Sequence, residues 1–240
     1  MIPEAQKQQM AEAVARIRET MAEAARSAGR DPAEVKLCAA CKTRTVEEVR
    51  YSADLPIDLF GENHVQELVE KTDAGAYHGK PGHFIGHLQT NKVNKVVGRA
   101  ALIQSVDSIR LLDKIEAAAA RLNLTQEILI EINIGAEESK SGVGPGDLWP
   151  LLEAAAAREY LRVRGLMAIP PADADDDQTR RFFAEMRELL AAAAARRYEN
   201  AQMDILSMGM SGDYAAAIAE GATIVRIGTA IYGARDYSKK

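Results

Sequence analysis

The chain of 240 residues carries only two cysteines, four histidines and one tryptophan, and aromatic residues make up just 5% of it. So few cysteines exclude a disulfide-built scaffold and a four-cysteine structural zinc site. The existing pair, Cys38 and Cys41, has a C-x-x-C spacing. It lies within Val35-Lys36-Leu37-Cys38-Ala39-Ala40-Cys41, which reads as a buried strand whose residues three apart point to opposite faces. Both are expected to be small buried hydrophobes. No apolar run reaches the length of a membrane span, and the first residues lack the apolar core of a signal peptide. Long basic runs are missing as well, at a formal net charge of −5, which argues against nucleic acid as a partner. These absences predict a cytoplasmic protein that binds neither nucleic acid nor membrane. The 47% hydrophobic and 27% charged fractions suit a chain with a sizeable core.

Residues 3–28 place Met10, Val14, Ile17 and Met21 at helical spacing, and Gly29 is a natural stop. A regular alternation follows. Strand patterns fall at 35–41, 57–61, 83–87, 102–106, 126–134, 161–167, 203–207 and 223–227. Helical patterns separate them near 45–53, 63–74, 91–98, 108–122, 146–158, 175–197 and 213–220. Eight such strands predict a closed (β/α)8 TIM barrel, one domain over 1–240, with residues 3–28 as an extra N-terminal helix packed on it. In 126–134, Ile128, Ile130, Ile132 and Ile134 share one face and Leu129, Glu131 and Asn133 the other. Polar Glu131 and Asn133 then face the barrel interior, either as a water-satisfied layer or as ligand contacts. The run Asp173-Ala174-Asp175-Asp176-Asp177 precedes a helix, where acidic residues complement the dipole.

Polar residues inside or just beyond apolar strands point to chemistry. Leu206-Ser207-Met208-Gly209-Met210-Ser211-Gly212-Asp213 and Thr223-Ile224-Val225-Arg226-Ile227-Gly228-Thr229 each read as a strand running into a small-residue loop. Loops after strands 7 and 8 of a barrel are a frequent phosphate site, because backbone N–H groups approach an anion closely there. Lys42 follows the first strand, where desolvation favours a nucleophilic amine; a solvated lysine is the plain alternative. A phosphate anchor beside an amine suits pyridoxal 5′-phosphate. Arg226 shares the face of Ile224 and needs a partner, either an interior carboxylate such as Glu131 or a cofactor ring nitrogen. His83 and His87 could be read as a metal pair, but a strand spreads them apart and no third ligand is evident.

Seven segments, in order, carry a resemblance. They are Ala40-Cys41-Lys42-Thr43, 60–67 (FGENHVQE), 83–92 (HFIGHLQTNK), Ser105-Val106-Asp107-Ser108, 137–142 (EESKSG), Ser207-Met208-Gly209-Met210-Ser211 and 226–233 (RIGTAIYG). Together they resemble the pyridoxal phosphate homeostasis protein family, single-domain relatives of the alanine racemase N-terminal barrel. The resemblance implies that Lys42 holds pyridoxal 5′-phosphate covalently as an aldimine. It implies that Ser211, Gly228 and Thr229 hold the phosphate, that Ser207 and Met208 shape that loop, and that Arg226 faces the ring nitrogen. Asn63 and His87, expected at the ends of strands 2 and 3, match family positions at the mouth. Gly82, where many relatives carry an aromatic, and Gly212 depart from the pattern.

The expectation is a cofactor carrier in vitamin B6 homeostasis, with enzymes that lack the cofactor as recipients, and a monomer. It is not expected to be an efficient enzyme, because a chain ending at Lys240 leaves no room for the second domain of a racemase. Two rivals differ in class. One is a slow racemase using Lys42 with His87 or Tyr214 as second base. The other is an interaction protein that uses the cofactor as a signal; the 137–142 loop, which matches a family motif, is expected to serve cofactor transfer or a partner contact.

Overall fold

Alternation along the strands decides the architecture, because each strand has one apolar face for helices and another for the barrel interior. The computed structural model describes residues 2–234. Helix α1 (Glu4–Ser27) leads into β1 (Lys36–Ala40), α2 (Val46–Ala53), β2 (Leu59–Glu62), α3 (Val65–Asp73) and β3 (Gly82–Phe84). Then come α4 (Val93–Val96), β4 (Leu102–Val106), α5 (Ile109–Leu122), β5 (Gln126–Ile132), α6 (Leu148–Ala156) and β6 (Leu161–Ala168). The last elements are α7 (Asp176–Ala195), β7 (Ala201–Ser207), α8 (Tyr214–Ala219), β8 (Ile224–Ile227) and α9 (Thr229–Tyr232). Neighbouring strands pair in parallel, and β8 returns to pair with β1, closing the (β/α)8 barrel. The ends of the predicted 1–240 span lie outside the described residues.

Outward residues Leu37, Phe60, Ile103, Ile128, Ile130, Leu206 and Val225 join the helices in one continuous core. Burying each such side chain contributes about 1.5–3 kcal/mol. Inward residues Cys38, Leu59, Leu102, Leu129, Met167 and Ile224 form a separate cluster inside the barrel. Cys38 and Cys41 are thus buried free thiols on opposite sides of the sheet. Burial pushes the Cys38 thiol up to about 12 and Cys41 also well above its ordinary value, so neither is a ready nucleophile. Helix α1 buries Met10, Val14, Ile17 and Met21 and packs on α8 and α9. The acidic run before α7 supplies a capping box, Asp175 with Gln178, worth about 1 kcal/mol.

The strand boundaries move by a residue or two from the sequence pattern, except at β3. This strand ends at Phe84 instead of reaching His87. Gly86 explains the departure: a Cβ there would lie 2.2 Å from the Asn63 carbonyl oxygen, so the chain leaves the sheet in backbone contact with the loop after β2. Gly82 has a different reason. A Cβ at this position would stand 2.8 Å from the Tyr77 ring, which fills the space and stacks on Phe60.

Candidate functional site

All eight strands run in parallel, so their C-terminal ends meet at one mouth, and a cavity of about 360 Å³ opens there. Lys42, in the turn after β1, lines it with Asn63, Ser211, Arg226, Gly228 and Thr229. These residues come from four segments of the chain, and only barrel closure brings β8 beside β1. Ala40, Ile85, Ile169 and Met210 give the cavity apolar walls, and Arg44 and Gly212 complete it. None of these six was among the residues expected to contact the cofactor. Ile85 and Ile169 could have been found by following the inward alternation two residues past His83 and Met167.

The loop between β7 and α8 is shaped by its own side chains. Asp213 Oδ1 accepts from the Met210 N–H at 2.5 Å, and Ser211 Oγ accepts from the Ala230 N–H at 3.3 Å. Among the described residues, neither the Ser211 nor the Gly212 N–H meets a hydrogen-bond acceptor. Thr229 opens α9, so its N–H has no partner within the helix. These donors, with the Ser211 hydroxyl, suit an anion.

Beneath the cavity, Arg226 is 4% exposed and anchors a chain of hydrogen bonds across the barrel interior. Its Nη1 donates to Ser207 Oγ at 2.6 Å and its Nη2 to the Ala168 carbonyl at 3.0 Å. The Ser207 hydroxyl donates to Gln104 Oε1 at 2.7 Å, and Gln104 Nε2 stands 2.9 Å from His83 Nδ1. Burial pushes His83 down to about 3, so its ring is neutral and Nδ1 accepts from the Gln104 amide. The side chains of Gln104 and Ser207 therefore set the direction in which the guanidinium points. An ion pair between Arg226 and Glu131 is not formed. Glu131 is 9% exposed, and burial, reinforced by Asp107, pushes its carboxyl up to about 7 against the pull of Arg226.

Three expected residues stand apart from this cavity. Ser207 is fully buried under Arg226 rather than in the loop, because its odd position on β7 faces inward. Met208, the next residue, faces the helices and belongs to the outer core. His87 lies three residues beyond β3, largely exposed, with Nδ1 3.0 Å from Ser141 Oγ and 3.8 Å from Asp107 Oδ2. It is therefore no strand-end residue. Tyr214 lies outside the cavity lining too. Asn133 lies outside the cavity lining: it donates to the Glu137 carbonyl at 2.8 Å and accepts from its N–H, shaping the 137–142 loop. Lys140 of that loop reaches the Pro170 carbonyl at 3.1 Å. Among the described residues, no group of three or more His, Cys, Asp or Glu side chains could hold a metal ion. None of the described helices is long and apolar enough to cross a membrane.

The family model of the alanine racemase N-terminal domain matches residues 8–236. A pyridoxal phosphate homeostasis protein of Aquifex aeolicus is 41% identical, the match covering 94% of this chain and 98% of that protein. Among solved structures, a Bifidobacterium adolescentis protein described as unknown superposes with a TM-score of 0.91 at 35% identity, covering 96% of this chain and 97% of that one. PipY of Synechococcus elongatus, solved with pyridoxal phosphate bound, has a TM-score of 0.80 at 30% identity, covering 93% and 100%. A match of this extent, on a closed barrel carrying all seven motifs in order, makes the chain a member of the pyridoxal phosphate homeostasis protein family within the alanine racemase N-terminal fold.

Proposed function

We propose that this protein binds pyridoxal 5′-phosphate covalently through Lys42 and serves vitamin B6 homeostasis by holding and releasing it. The observation that carries this reading is one cavity joining an amine, an anion cradle and a buried cation: Lys42, the Ser211–Gly212 and Gly228–Thr229 loops, and Arg226. The residues fit such a group. Ser211 and the loop N–H groups would hold its phosphate, while Ala40, Ile85 and Ile169 offer apolar walls for its ring. When bound, the cofactor supplies an aldehyde that links to amines and a ring that withdraws electrons. Arg226 keeps its protons at any ordinary pH, so a ring nitrogen facing it stays unprotonated and the ring draws electrons less strongly. Asn63 stands at the rim, where it can contact the cofactor.

A carrier is favoured over an efficient enzyme by the cavity lining. Among the described residues, Lys42, Arg44 and Arg226 are its only ionisable side chains, and an arginine is a poor proton acceptor. Among the described residues, no His, Tyr, Asp or Glu lines it. Enzymes that lack their cofactor are the proposed recipients, in the cytoplasm, with the chain acting as a monomeric single domain.

The test is absorbance of the purified protein with added pyridoxal 5′-phosphate, then borohydride reduction and peptide mapping. A visible band that reduction fixes on Lys42, and that Lys42→Ala abolishes in a folded protein, is the expected result. A protein left unlabelled overturns the reading. Exchange of an amino acid's α-hydrogen for solvent deuterium, dependent on Lys42 and faster than with free cofactor, would overturn the carrier role alone.

A further inference from the structure

The turn that presents Lys42 is held from behind by a second cluster of polar side chains, outside the barrel interior. Glu62 ends β2 with its side chain on the outer face, fully buried, and Lys71 on α3 is 1% exposed. Lys71 Nζ donates to Glu62 Oε1 at 2.8 Å and to the Cys41 carbonyl at 2.7 Å. The Cys41 thiol donates to the same Glu62 Oε1 at 2.8 Å, and the Tyr77 hydroxyl reaches it at 3.3 Å. One helical turn earlier on α3, the Glu67 carboxylate accepts the Thr43 N–H with both oxygens, at 3.1 and 3.0 Å. Glu67 and Lys71 also pair with each other at 3.7 Å.

Those contacts bracket Lys42. The carbonyl before it and the amide after it are each gripped by α3, four residues apart on one helix face. Thr43 has φ +66, a conformation that a β-branched residue adopts only when its surroundings impose it. The Glu67 carboxylate on the Thr43 N–H is such an imposition. A peptide flip or a relaxed turn at this point would swing the Lys42 side chain away from the Ser211 and Thr229 loops.

We propose that Glu67 and Lys71 are positioning residues that clamp the Cys41–Lys42–Thr43 turn and so fix where the Lys42 amine stands in the cavity. This rests on the reading of Lys42 as the attachment residue. Neither side chain lines the cavity, so both act through the backbone on either side of Lys42.

Three readouts test it in the full-length protein. The first is amide hydrogen exchange at Thr43 without any ligand, expected at least tenfold faster in Glu67→Ala. The second is the rate of borohydride-trapped labelling of Lys42 by pyridoxal 5′-phosphate, expected at least tenfold slower in Glu67→Ala and Lys71→Met. The third is affinity for pyridoxine 5′-phosphate, which has the phosphate and ring but no aldehyde, expected within twofold of the unmodified protein. Glu67→Gln keeps an oxygen for the Thr43 N–H and is expected to recover most of the labelling rate. Since Glu67 is partly exposed, its variants remain informative if Lys71→Met fails to fold. Unchanged exchange and labelling in the Glu67→Ala protein would overturn the clamp, and so would an equal loss of pyridoxine 5′-phosphate affinity. If the unmodified protein takes no label on Lys42, the reading of Lys42 fails and the clamp's role falls with it.

Discussion

Two buried polar networks flank the same cavity, and they handle charge in opposite ways. Outside the sheet, Lys71 is matched by Glu62 and Glu67, so its charge is compensated within the network. Inside the barrel, among the described residues, Arg226 donates to a hydroxyl and a carbonyl and to no carboxylate, and it lines the cavity at the mouth. Both networks are largely buried, and both cross between elements distant in sequence. The first is built as a fastening between α3 and the β1–β2 edge. On the function proposed above, the second is a cation held in reserve for a ligand, because neutral partners orient a guanidinium without cancelling its charge. Strand alternation alone separates them: Glu62 and Cys41 point outward, Arg226 and Ser207 inward.

Breaking the outer pair should have the largest effect on folding. Lys71→Ala leaves Glu62 buried without its cation and is expected to cost about 3–5 kcal/mol at pH 8, measured by chemical denaturation. Burial already holds the Glu62 carboxyl up at about 6 despite Lys71. Its folded value lies above its ordinary 4.5, so stability from the protonated form is present below 4.5 and lost as pH rises through about 6. Removing Lys71 steepens that loss, so the variant should suffer less at pH 5 than at pH 8. A deficit independent of pH would deny that the pair is compensated.

Inside the barrel, removing a charge should stabilise the protein rather than destabilise it. Among the described residues no cation forms an ion pair with Glu131, and its folded carboxyl at about 7 lies above its ordinary 4.5. Its favourable contribution is present below pH 4.5 and disappears as pH rises through 7. Glu131→Gln should therefore stabilise the protein by up to about 3 kcal/mol at pH 8, with the gain vanishing near pH 4. Paired melts at the two values decide it, and a loss of stability at pH 8 would mean that Glu131 is compensated after all.

The smallest effect is the most specific. Arg226→Met fills similar space without charge and should cost only about 1–2 kcal/mol in folding, since its partners are neutral. Retention of pyridoxal 5′-phosphate should nevertheless fall about tenfold, roughly 1.4 kcal/mol. If the variant unfolds like Lys71→Ala and still binds normally, the division between fastening and reserve collapses.

Much of this was legible in the residues. Eight apolar segments at barrel spacing, the inward face of Leu129 and Glu131, and the loops after β7 and β8 follow from periods of two and 3.6 and from small residues at strand ends. Arg226 stood out because a charge within an apolar strand is conspicuous. Gln104 carries the same signal more faintly, as an uncharged polar residue between Ile103 and Ser105. His87 misled because its segment has strand-like composition, while Gly86 ends the strand through backbone contact with a loop some twenty residues away.

The sequence by itself determined the barrel, the order of its strands and the residue types gathered at its mouth, since periodicity and turn chemistry are local. Only the tertiary structure decided that Ser207 props Arg226, that Met208 belongs to the helix side, and that Glu67 and Lys71 grip the Lys42 turn. Each of those assignments depends on which face of a strand meets which helix. That pairing is set when the sheet closes, by contacts between residues far apart in the chain.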